Sequence, residues 1–231
     1  VVVSSYASGL SCLVDDEKDL GVTLIDMGGG TTTLAVFYDG QVVYADSIPV
    51  GGSHVTNDVA RGLSTPVSHA ERMKILYGSA VASQSDENQV IDVPLVGEDD
   101  HNHPNHVPRS ILISIIQPRI EETFELVRER LEFSGANRVS GRRLVLTGGA
   151  CQLNGVPELA GTVLEKQVRV GRPLRISGLA EATSGPAFST CAGLLRYGVE
   201  KYAGTIEDTP SNANTPASRI TKISQWLKES F

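Results

Sequence analysis

The chain has 231 residues, 40% hydrophobic and 20% charged, which is enough for one large domain or two small ones with buried cores. The formal net charge is −7 without any Lys/Arg cluster, so we expect no nucleic-acid partner. No apolar run approaches the roughly 18 residues of a membrane-spanning helix. Three scattered cysteines without metal-like spacing indicate reduced thiols in a cytoplasmic protein.

The first predicted elements form a β-meander that contains a glycine-rich loop. Residues 22–26 are a short apolar strand leading into Gly28-Gly29-Gly30. A strand over residues 31–37 and another over Gln41–Ile48 follow, joined by the hairpin turn Asp39-Gly40. We therefore expect the loop to join two strands rather than a strand and a helix.

Two short helices are predicted after the meander. Ser53 or Thr56 is expected to cap a helix that ends near Leu63, and residues 68–77 have the spacing of a second helix.

A long helix is predicted in the middle of the chain. Residues 78–110 are polar, with one strand candidate at 90–96. Ser110 is expected to cap a helix that continues to Phe133, and Pro118 should kink it or split it in two.

The last part of the chain alternates between ordered and polar segments. A strand is predicted over residues 144–147, and helices over 156–166 and 184–202. Residues 203–218 are small and polar and predict a flexible linker, after which 219–231 regain a helical pattern.

Residues 26–32 (DMGGGTT) are a candidate phosphate-binding loop. Three consecutive glycines let backbone amides approach an oxyanion without Cβ obstruction. Thr31 and Thr32 could add hydroxyl donors, and Asp26 could hold the waters of a Mg²⁺ ion. The loop lacks the lysine of a Walker motif and the following helix of a Rossmann fingerprint. The alternative is a glycine-rich β-turn with an incidental aspartate.

A second glycine motif lies at residues 144–150 (LVLTGGA). Here a buried strand ends in Gly148-Gly149 and is expected to enter a helix that could face a base or ribose. A tight turn is the alternative. The order of the two motifs makes the pair more informative than either alone.

Together these motifs resemble the second half of the actin-like ATPase superfamily, with its phosphate hairpin and adenosine turn. Residues 70–78 (AERMKILYG) resemble that superfamily's AExxKxxYG helix. The resemblance implies that Glu71 and Lys74 approach the ribose and adenine. A solvated surface pair is the alternative.

Within the superfamily, the sequence is most similar to the FtsA family of bacterial actin-like cell-division proteins. The similarity covers nearly the whole chain and rests on YASGL, IDMGGGTT, IPVGG, TNDVA, AERMKILYG, QPR and the C-terminal helix. The family's upstream half, with the other phosphate loop and an inserted subdomain, is missing. We therefore expect the chain to be the C-terminal half of such a protein. Because its Val1-Val2-Val3 start has no basic n-region, we do not expect it to be a signal peptide.

The resemblance implies an α/β fold, the second domain of an actin-like (ribonuclease H-like) protein. A mixed sheet flanked by helices would carry a smaller inserted α+β subdomain. Residues 1–20 would end the first domain, 21–65 and 139–202 would form the nucleotide-binding base, and 66–138 the inserted upper subdomain. The linker (203–218) and a membrane-targeting helix (219–231) would follow.

The nucleotide implied by the resemblance is ATP, with Mg²⁺ held through water by Asp26. The implied nucleotide-binding residues are Gly28, Gly29, Gly30, Thr31, Thr32, Gly51, Gly52, Glu71, Lys74, Gly148, Gly149 and Ala150. Half a cleft desolvates phosphates poorly and cannot position water, so we expect weak binding and negligible hydrolysis. We expect a binding and scaffold protein rather than an enzyme.

The C-terminal segment is predicted to be an amphipathic membrane helix. At roughly 100° per residue its apolar side chains fall within an arc of about 140°. They are Ile220, Ile223, Trp226, Leu227 and Phe231, with Lys222 and Lys228 outside the arc. Aromatic residues beside a basic rim suit an anionic membrane surface. The alternative is a helix that docks on the parent domain, but the polar linker detaches it.

Energetics predict that one such helix binds a membrane weakly. Burial of an apolar side chain contributes roughly 1.5–3 kcal/mol, against about 1–2 kcal/mol for ordering each residue. Several copies on one polymer would bind firmly through effective concentration.

Two further candidates concern metal and protein partners. His101, His103 and His106 could bind a metal, but a solvated loop is the expected reading. By resemblance, Arg119 is expected to contact the C-terminal peptide of FtsZ, the tubulin-like ring protein. The alternative is a solvated helix face.

The function implied by the resemblance is tethering of the FtsZ ring to the cytoplasmic face of the bacterial inner membrane, at the septum. ATP would favour self-assembly into a polymer. The alternatives are an ATP-dependent kinase or chaperone-type ATPase of the same superfamily, or another actin-like filament protein. Neither a kinase nor a chaperone would need the tethered amphipathic terminus.

Overall fold

A computed structural model of the chain describes residues 1–97, 105–174 and 183–207. The chain divides into two units, Val1–Leu194 and Leu195–Phe231. None of the helices in the described ranges is both long enough and apolar enough to cross a bilayer.

In the described part of the first unit, seven strands form two sheets. They are β1 (Val22–Met27), β2 (Thr32–Tyr38), β3 (Gln41–Ile48), β4 (Val90–Val93), β5 (Asn105–Pro108), β6 (Arg143–Thr147) and β7 (Gln167–Val170). The large sheet has the order β3-β2-β1-β6-β7, and β4 pairs with β5. The meander β1-β2-β3 is antiparallel, whereas β1, β6 and β7 run parallel. The predicted mixed sheet, with the glycine loop between β1 and β2, is confirmed.

Across the residues that the structure describes, seven α-helices and four 3₁₀ helices accompany the strands. The α-helices are α1 (Ser4–Cys12), α2 (Asp15–Leu20), α3 (Gly52–Gly62), α4 (Val67–Tyr77), α5 (Arg109–Ser134), α6 (Val156–Leu164) and α7 (Ser189–Glu207). The 3₁₀ helices are Gln84–Asn88, Ala136–Arg138, Ala150–Gln152 and Pro186–Phe188.

The two faces of the large sheet pack against different helices. Because side chains alternate along a strand, Leu24 and Ile25 of β1 lie in different buried clusters. Leu24 packs with Cys12 and Leu13 beside α1, and Ile25 lies in a cluster that includes residues of α3, α4, α5 and α6.

Residues 66–138 have the α+β composition expected of them, and their boundary as an inserted subdomain stays a prediction. So does the assignment of residues 1–20 to a preceding domain.

The predicted helix caps are wrong. Neither Ser53 nor Thr56 caps α3, which follows Gly51; the Gly51 amide donates to His54 Nδ1 at 3.1 Å instead. Ser110 does not cap α5, which begins at Arg109. The Arg109 amide donates to the Gln89 carbonyl at 2.7 Å, so this first amide needs no side-chain cap.

Helix α5 passes through Pro118 without interruption, so the predicted split is wrong. An internal proline costs about 3 kcal/mol because it removes a backbone hydrogen bond. Buried side chains on both sides of the proline oppose this cost. They are Leu112, Ile113 and Ile116 before it, and Ile120, Phe124, Val127 and Leu131 after it.

Several element ends differ from the predictions. Strand β4 is shorter than the predicted 90–96, and β5 and β7 were not predicted because both are short and polar. Helix α6 ends at Leu164, two residues early, and α7 extends to Glu207, so residues 203–207 of the predicted linker are helical. The rest of the linker and residues 219–231 lie outside the described residues.

The predicted histidine loop is partly a strand. His106 lies in β5, and its Nδ1 is 2.8 Å from Asp92 Oδ1 of β4. His101 and His103 lie outside the described residues. Within the described ranges, no group of three or more His, Cys, Asp or Glu residues could hold a metal ion.

All three cysteines are free, and two of them are buried. Burial raises the pKa of the Cys12 and Cys151 thiols to about 12. They therefore act as small apolar side chains in the core.

An ion pair between a buried carboxylate and a partly exposed arginine joins α2 to the edge strand β7. Glu17 is 3% exposed, and its carboxylate accepts from Arg169 Nε at 2.7 Å and Nη2 at 2.5 Å. Burial alone would raise the pKa of Glu17. The bonds from Arg169 and from the Val14 amide outweigh that effect and hold the pKa below its ordinary value of 4.5.

We expect Glu17→Gln to lower the free energy of unfolding by about 2 kcal/mol near neutral pH, as measured by urea denaturation. The pKa of Glu17 is lower in the folded protein than its ordinary value of 4.5 in the unfolded chain. Its contribution to the free energy of unfolding is therefore fully present above pH 4.5 and is lost as the pH falls through the folded-state pKa. The difference in free energy of unfolding between the wild type and Glu17→Gln should therefore become smaller as the pH falls below 4.5. Glu165→Gln, on an exposed carboxylate, is the control. A gap that stays constant down to acid pH would contradict the assignment.

Candidate functional site

A cavity of about 690 Å³ lies at the C-terminal ends of β1 and β6. Its volume is within the range of roughly 300–1,000 Å³ that is usual for small-molecule sites. Of the predicted nucleotide-binding residues, the lining includes Gly28, Gly29, Gly52, Glu71, Lys74, Gly149 and Ala150. The structure thus brings the glycine loop, the second glycine motif and α4 to one cavity.

The glycine loop is fastened to the first turn of α3. The Gly52 amide donates to the Gly28 carbonyl at 2.9 Å, and the Ser53 amide donates to the Gly29 carbonyl at 2.8 Å. The loop closes on itself through the Gly28 amide, which donates to the Thr31 carbonyl at 2.9 Å. The amides of Gly29 and Gly30 take no part in these bonds. Two donors therefore remain that could bind an oxyanion.

Gly51 allows this close approach without lining the cavity. A Cβ atom at Gly51 would lie 2.6 Å from the carbonyl oxygens of both Gly28 and Gly29. A Cβ at Gly30, by contrast, would have no atom within 4 Å. Gly51 is therefore a packing requirement of the loop. Gly30 and Thr31 are exposed and are not part of the lining.

The Thr32 hydroxyl, which is predicted to bind a ligand, is bonded to the backbone in this structure. Thr32 is fully buried, and its hydroxyl donates to the Val50 carbonyl at 2.8 Å. Its single proton ties β2 to the segment before α3. Thr32 thus supports the loop from behind.

Asp26 lies at the end of β1 and is not one of the residues that line the cavity. It is 8% exposed, and its Oδ2 accepts from the hydroxyls of Ser8 at 2.5 Å and Thr190 at 2.7 Å. Gly148 packs against the other oxygen, Oδ1. The backbone of Gly148 is in the left-handed conformation, with φ of 89°. Helices α1 and α7 therefore fix the carboxylate. Sequence patterns carried no signal for Thr190, which is far from Asp26 along the chain.

The second glycine motif leads into a turn rather than the expected α-helix. Gly149 precedes the 3₁₀ helix Ala150–Gln152, and α6 begins only at Val156. Gly155, the residue before α6, has a left-handed backbone conformation with φ of 77°. The Gly148 amide donates to the Pro186 carbonyl at 3.1 Å, which holds the turn against the segment before α7.

Glu71 and Lys74 are not the solvated pair of the alternative reading. Lys74 Nζ donates to Glu71 Oε2 at 2.7 Å, to Thr56 Oγ1 at 2.9 Å and to the Gly52 carbonyl at 3.1 Å. Burial raises the pKa of Glu71, but hydrogen bonds from Lys74 and Thr56 outweigh it, so the pKa lies below its ordinary value. Glu71 is therefore a carboxylate at neutral pH.

Several lining residues were missed by the sequence reasoning. Ile75 and Leu76 follow Lys74 on α4 and expose apolar surface to the cavity. Placing the whole of α4 against the glycine loop could have found them. Arg109 also lines the cavity, held by Asp86 Oδ1 at 2.5 Å and the Tyr77 carbonyl at 2.7 Å. No local pattern pointed to it. The remaining missed residues are Ser53, Val55, Gly78, Ile120, Gln152, Leu153 and Asn154.

Arg119 lies away from the cavity, where it joins α5 to α3. Its Nε and Nη2 donate to Asp58 at 2.5 and 3.2 Å, and its Nη1 donates to Glu122 Oε2 at 2.5 Å. A purely solvated face is thus the wrong description. The Arg119 side chain is 30% exposed, so a partner's carboxylate could reach it only in competition with two internal ones.

We expect Gly51→Ala to lower the free energy of unfolding by about 1–3 kcal/mol, because the new methyl group overpacks the contact with the glycine loop. Gly30→Ala is the matched control and should leave stability almost unchanged. Thermal unfolding of both variants tests the expectation. Equal effects of the two substitutions would contradict the close approach at Gly51.

Comparison with known proteins identifies the family. A family model described as "Cell division protein FtsA" matches residues 23–193. Cell division protein FtsA of Rhizobium meliloti (strain 1021) is 50% identical over 238 residues, with 100% of this chain and 53% of that protein covered. The FtsA of Escherichia coli (strain K12) is 35% identical over 239 residues, with 100% and 56% covered. The chain thus spans about half the length of these curated relatives.

Solved structures show the same fold at low sequence identity. MreB5 of Spiroplasma citri bound to ADP is 18% identical with a TM-score of 0.69, covering 90% of this chain and 61% of that chain. The ethanolamine utilization protein EutJ from Carboxydothermus hydrogenoformans is 20% identical with a TM-score of 0.54, covering 83% and 53%. The predicted actin-like fold is confirmed, and the chain belongs to the FtsA family of cell-division proteins.

Proposed function

We propose that this chain binds a nucleotide and a membrane as part of a protein that tethers the FtsZ ring to the cytoplasmic face of the inner membrane at the septum. The observation that carries the proposal is the cavity shared by the glycine loop Gly28–Gly29 and the turn Gly149–Ala150 in a chain of the FtsA family. Family membership favours this function over a kinase or a chaperone-type ATPase.

The cavity has the chemistry that ATP requires. The amides of Gly29 and Gly30 would bind phosphate oxygens. The apolar side chains of Ile75, Leu76 and Leu153 in the lining would cover the base. MreB5 of Spiroplasma citri, which has the same fold, was crystallised with bound ADP, and this supports a nucleotide ligand here.

Asp26 would hold a Mg²⁺ ion through water. Magnesium keeps several waters and commonly uses one or two carboxylates together with substrate phosphates. The hydroxyls of Ser8 and Thr190 occupy Asp26 Oδ2 and fix its orientation, and they leave Oδ1 outside those two bonds. One such carboxylate fits an ion held mostly by water and phosphate. The ion would offset phosphate charge at the loop.

Residues 219–231 would attach the protein to an anionic membrane. Their apolar arc and their lysines suit the headgroup boundary. A single helix would bind weakly and reversibly, so attachment would depend on self-assembly of the whole protein in an actin-like polymer. Nucleotide binding would favour that assembly.

The C-terminal peptide of FtsZ would contact α5 near Arg119. The guanidinium lies at the surface between α3 and α5, with Asp58 and Glu122 as internal partners. A peptide carboxylate would replace Glu122, the more exposed of the two, and leave Asp58 to hold the arginine.

We expect this chain to bind ATP weakly and to hydrolyse it no faster than buffer, because one half of a cleft does not position the attacking water. Equilibrium dialysis and phosphate release measure the two properties. Turnover that persists after repurification would contradict the expectation, and absence of any binding at high ATP would contradict the nucleotide site.

The membrane proposal is tested by liposome flotation of residues 203–231 fused to a monomeric or a tetrameric reporter. With anionic vesicles the tetramer should float and the monomer should barely do so. Trp226→Glu should keep the tetramer in solution, because a carboxylate replaces the apolar anchor. A wild-type tetramer that stays in solution would favour a docking helix instead.

The partner proposal predicts that Arg119→Ala weakens binding of an FtsZ C-terminal peptide by about tenfold, the effect of losing a charged hydrogen bond. Asp58→Ala removes the ion pair that joins α3 to α5 but keeps the arginine, so it should weaken binding much less. Fluorescence anisotropy gives both affinities. Equal losses in the two variants would show that Arg119 acts only by joining α3 to α5.

A further inference from the structure

Arg109 lines the cavity, and the protein holds its guanidinium group in one orientation. Its Nε donates to the Tyr77 carbonyl at 2.7 Å, and its Nη1 donates to Asp86 Oδ1 at 2.5 Å. The Arg109 amide donates to the Gln89 carbonyl at 2.7 Å, so the backbone is fixed as well. Because the N–H groups of a guanidinium lie in its plane, these bonds set the direction of that plane before any ligand binds.

The positive charge of Arg109 is matched inside the protein. Its partner Asp86 is 2% exposed, and a buried carboxylate depends on a paired cation. A phosphate bound to Arg109 would compete with Asp86 for the same charge, whereas an uncharged ligand group would not. Arg109 is therefore better suited to the base of a nucleotide than to its phosphates.

Helix α4 separates Arg109 from the part of the cavity that holds the glycine loop. Near its start, Glu71 accepts a hydrogen bond from Thr56 of α3, the helix whose first turn is bonded to the loop. At its end, the Tyr77 carbonyl accepts from Arg109. Tyr77 is six residues further along the helix than Glu71, which corresponds to about 9 Å. Phosphates at the loop and a base beside Arg109 would therefore lie at different ends of α4.

The segment after α4 brings a second wall of the cavity to the end where Arg109 lies. A Cβ atom at Gly78, the residue after α4, would lie 3.0 Å from Leu153 Cδ1. Close by, the Ala80 amide donates to the Asn154 carbonyl at 2.7 Å. Arg109 and the apolar Leu153 are thus brought to the same end of the cavity.

The described lining of the cavity contains no Phe, Tyr, Trp or His side chain on which a base could stack. Arg109 supplies the planar cation of that lining, and guanidinium groups stack on aromatic faces. Its Nε and Nη1 bonds would not be broken by stacking, since they lie in the plane of the group.

We propose that Arg109 stacks on the base of the bound nucleotide and adds affinity for the base rather than for the phosphates. The inference deepens the proposed nucleotide function and rests on it. Ligands that carry a base should depend on Arg109, and inorganic pyrophosphate should not.

The first test observes the Arg109 side chain of the full chain by NMR. Its Nε–H group is bonded to the Tyr77 carbonyl, which should slow exchange of this proton with water. Adenosine should move the Nε–H resonance upfield, because the proton would lie over the face of an aromatic ring. Pyrophosphate should leave the resonance in place. An unshifted Nε–H at an adenosine concentration that saturates the shifts of other cavity amides would overturn the proposal.

The second test compares the affinities of the wild type, Arg109→Lys and Arg128→Lys for ADP, adenosine and pyrophosphate. Arg109→Lys keeps a positive charge beside Asp86 but loses the planar group, so adenosine and ADP should each bind about fivefold more weakly. Pyrophosphate should bind as it does to the wild type. Arg128 is the matched control, since it also donates to a backbone carbonyl, that of Val163 at 3.4 Å, but lies outside the cavity lining.

The results separate this inference from the nucleotide function itself. If Arg109→Lys binds all three ligands like the wild type, or loses affinity for pyrophosphate equally, the stacking role is overturned while the nucleotide site stands. If the wild type binds none of the ligands, the nucleotide function fails and the inference fails with it. If Arg109→Lys does not fold, the double variant Arg109→Met with Asp86→Asn removes the guanidinium without leaving a buried carboxylate unpaired, and the same losses are expected of it.

Discussion

The site depends on two backbone hydrogen bonds between the glycine loop and the first turn of α3. The first amides of a helix have no partner within it and must find acceptors elsewhere. Here the carbonyls of Gly28 and Gly29 are those acceptors. The arrangement uses the helix N-terminus to hold the loop rather than a ligand. It also leaves the amides of Gly29 and Gly30 outside these bonds, available for an anion.

Strand β1 connects this loop to both sides of the sheet. Its side chains alternate, so Ile25 packs among residues near α5 while Asp26 meets hydroxyls from α1 and α7. The glycine loop therefore begins at the end of a strand that is packed on both of its faces. A substitution on either face of β1 would shift the loop residues at the cavity. The core of the first unit and the site are linked in this way.

Much of this arrangement could be predicted from local sequence patterns. Alternating β-branched residues and Asp39-Gly40 predicted the meander, and paired glycines after apolar strands predicted the two ends of the cavity. Strands β5 and β7 could not be predicted, because four polar or mixed residues at a sheet edge carry little signal. The partners of Arg109 and Asp26 are distant in sequence, so only the fold reveals them. The bond from the Thr32 hydroxyl to the Val50 carbonyl is likewise visible only in the fold.

The central claim is that the glycine loop and the turn after β6 bind one nucleotide together. Its most direct test is an amide NMR titration of the full chain with ADP. We predict that the largest shifts occur at Gly29, Gly30, Gly149 and Ala150, with smaller ones on α4. Shifts confined to a region away from the cavity, or no shifts at saturating ADP, would contradict this claim.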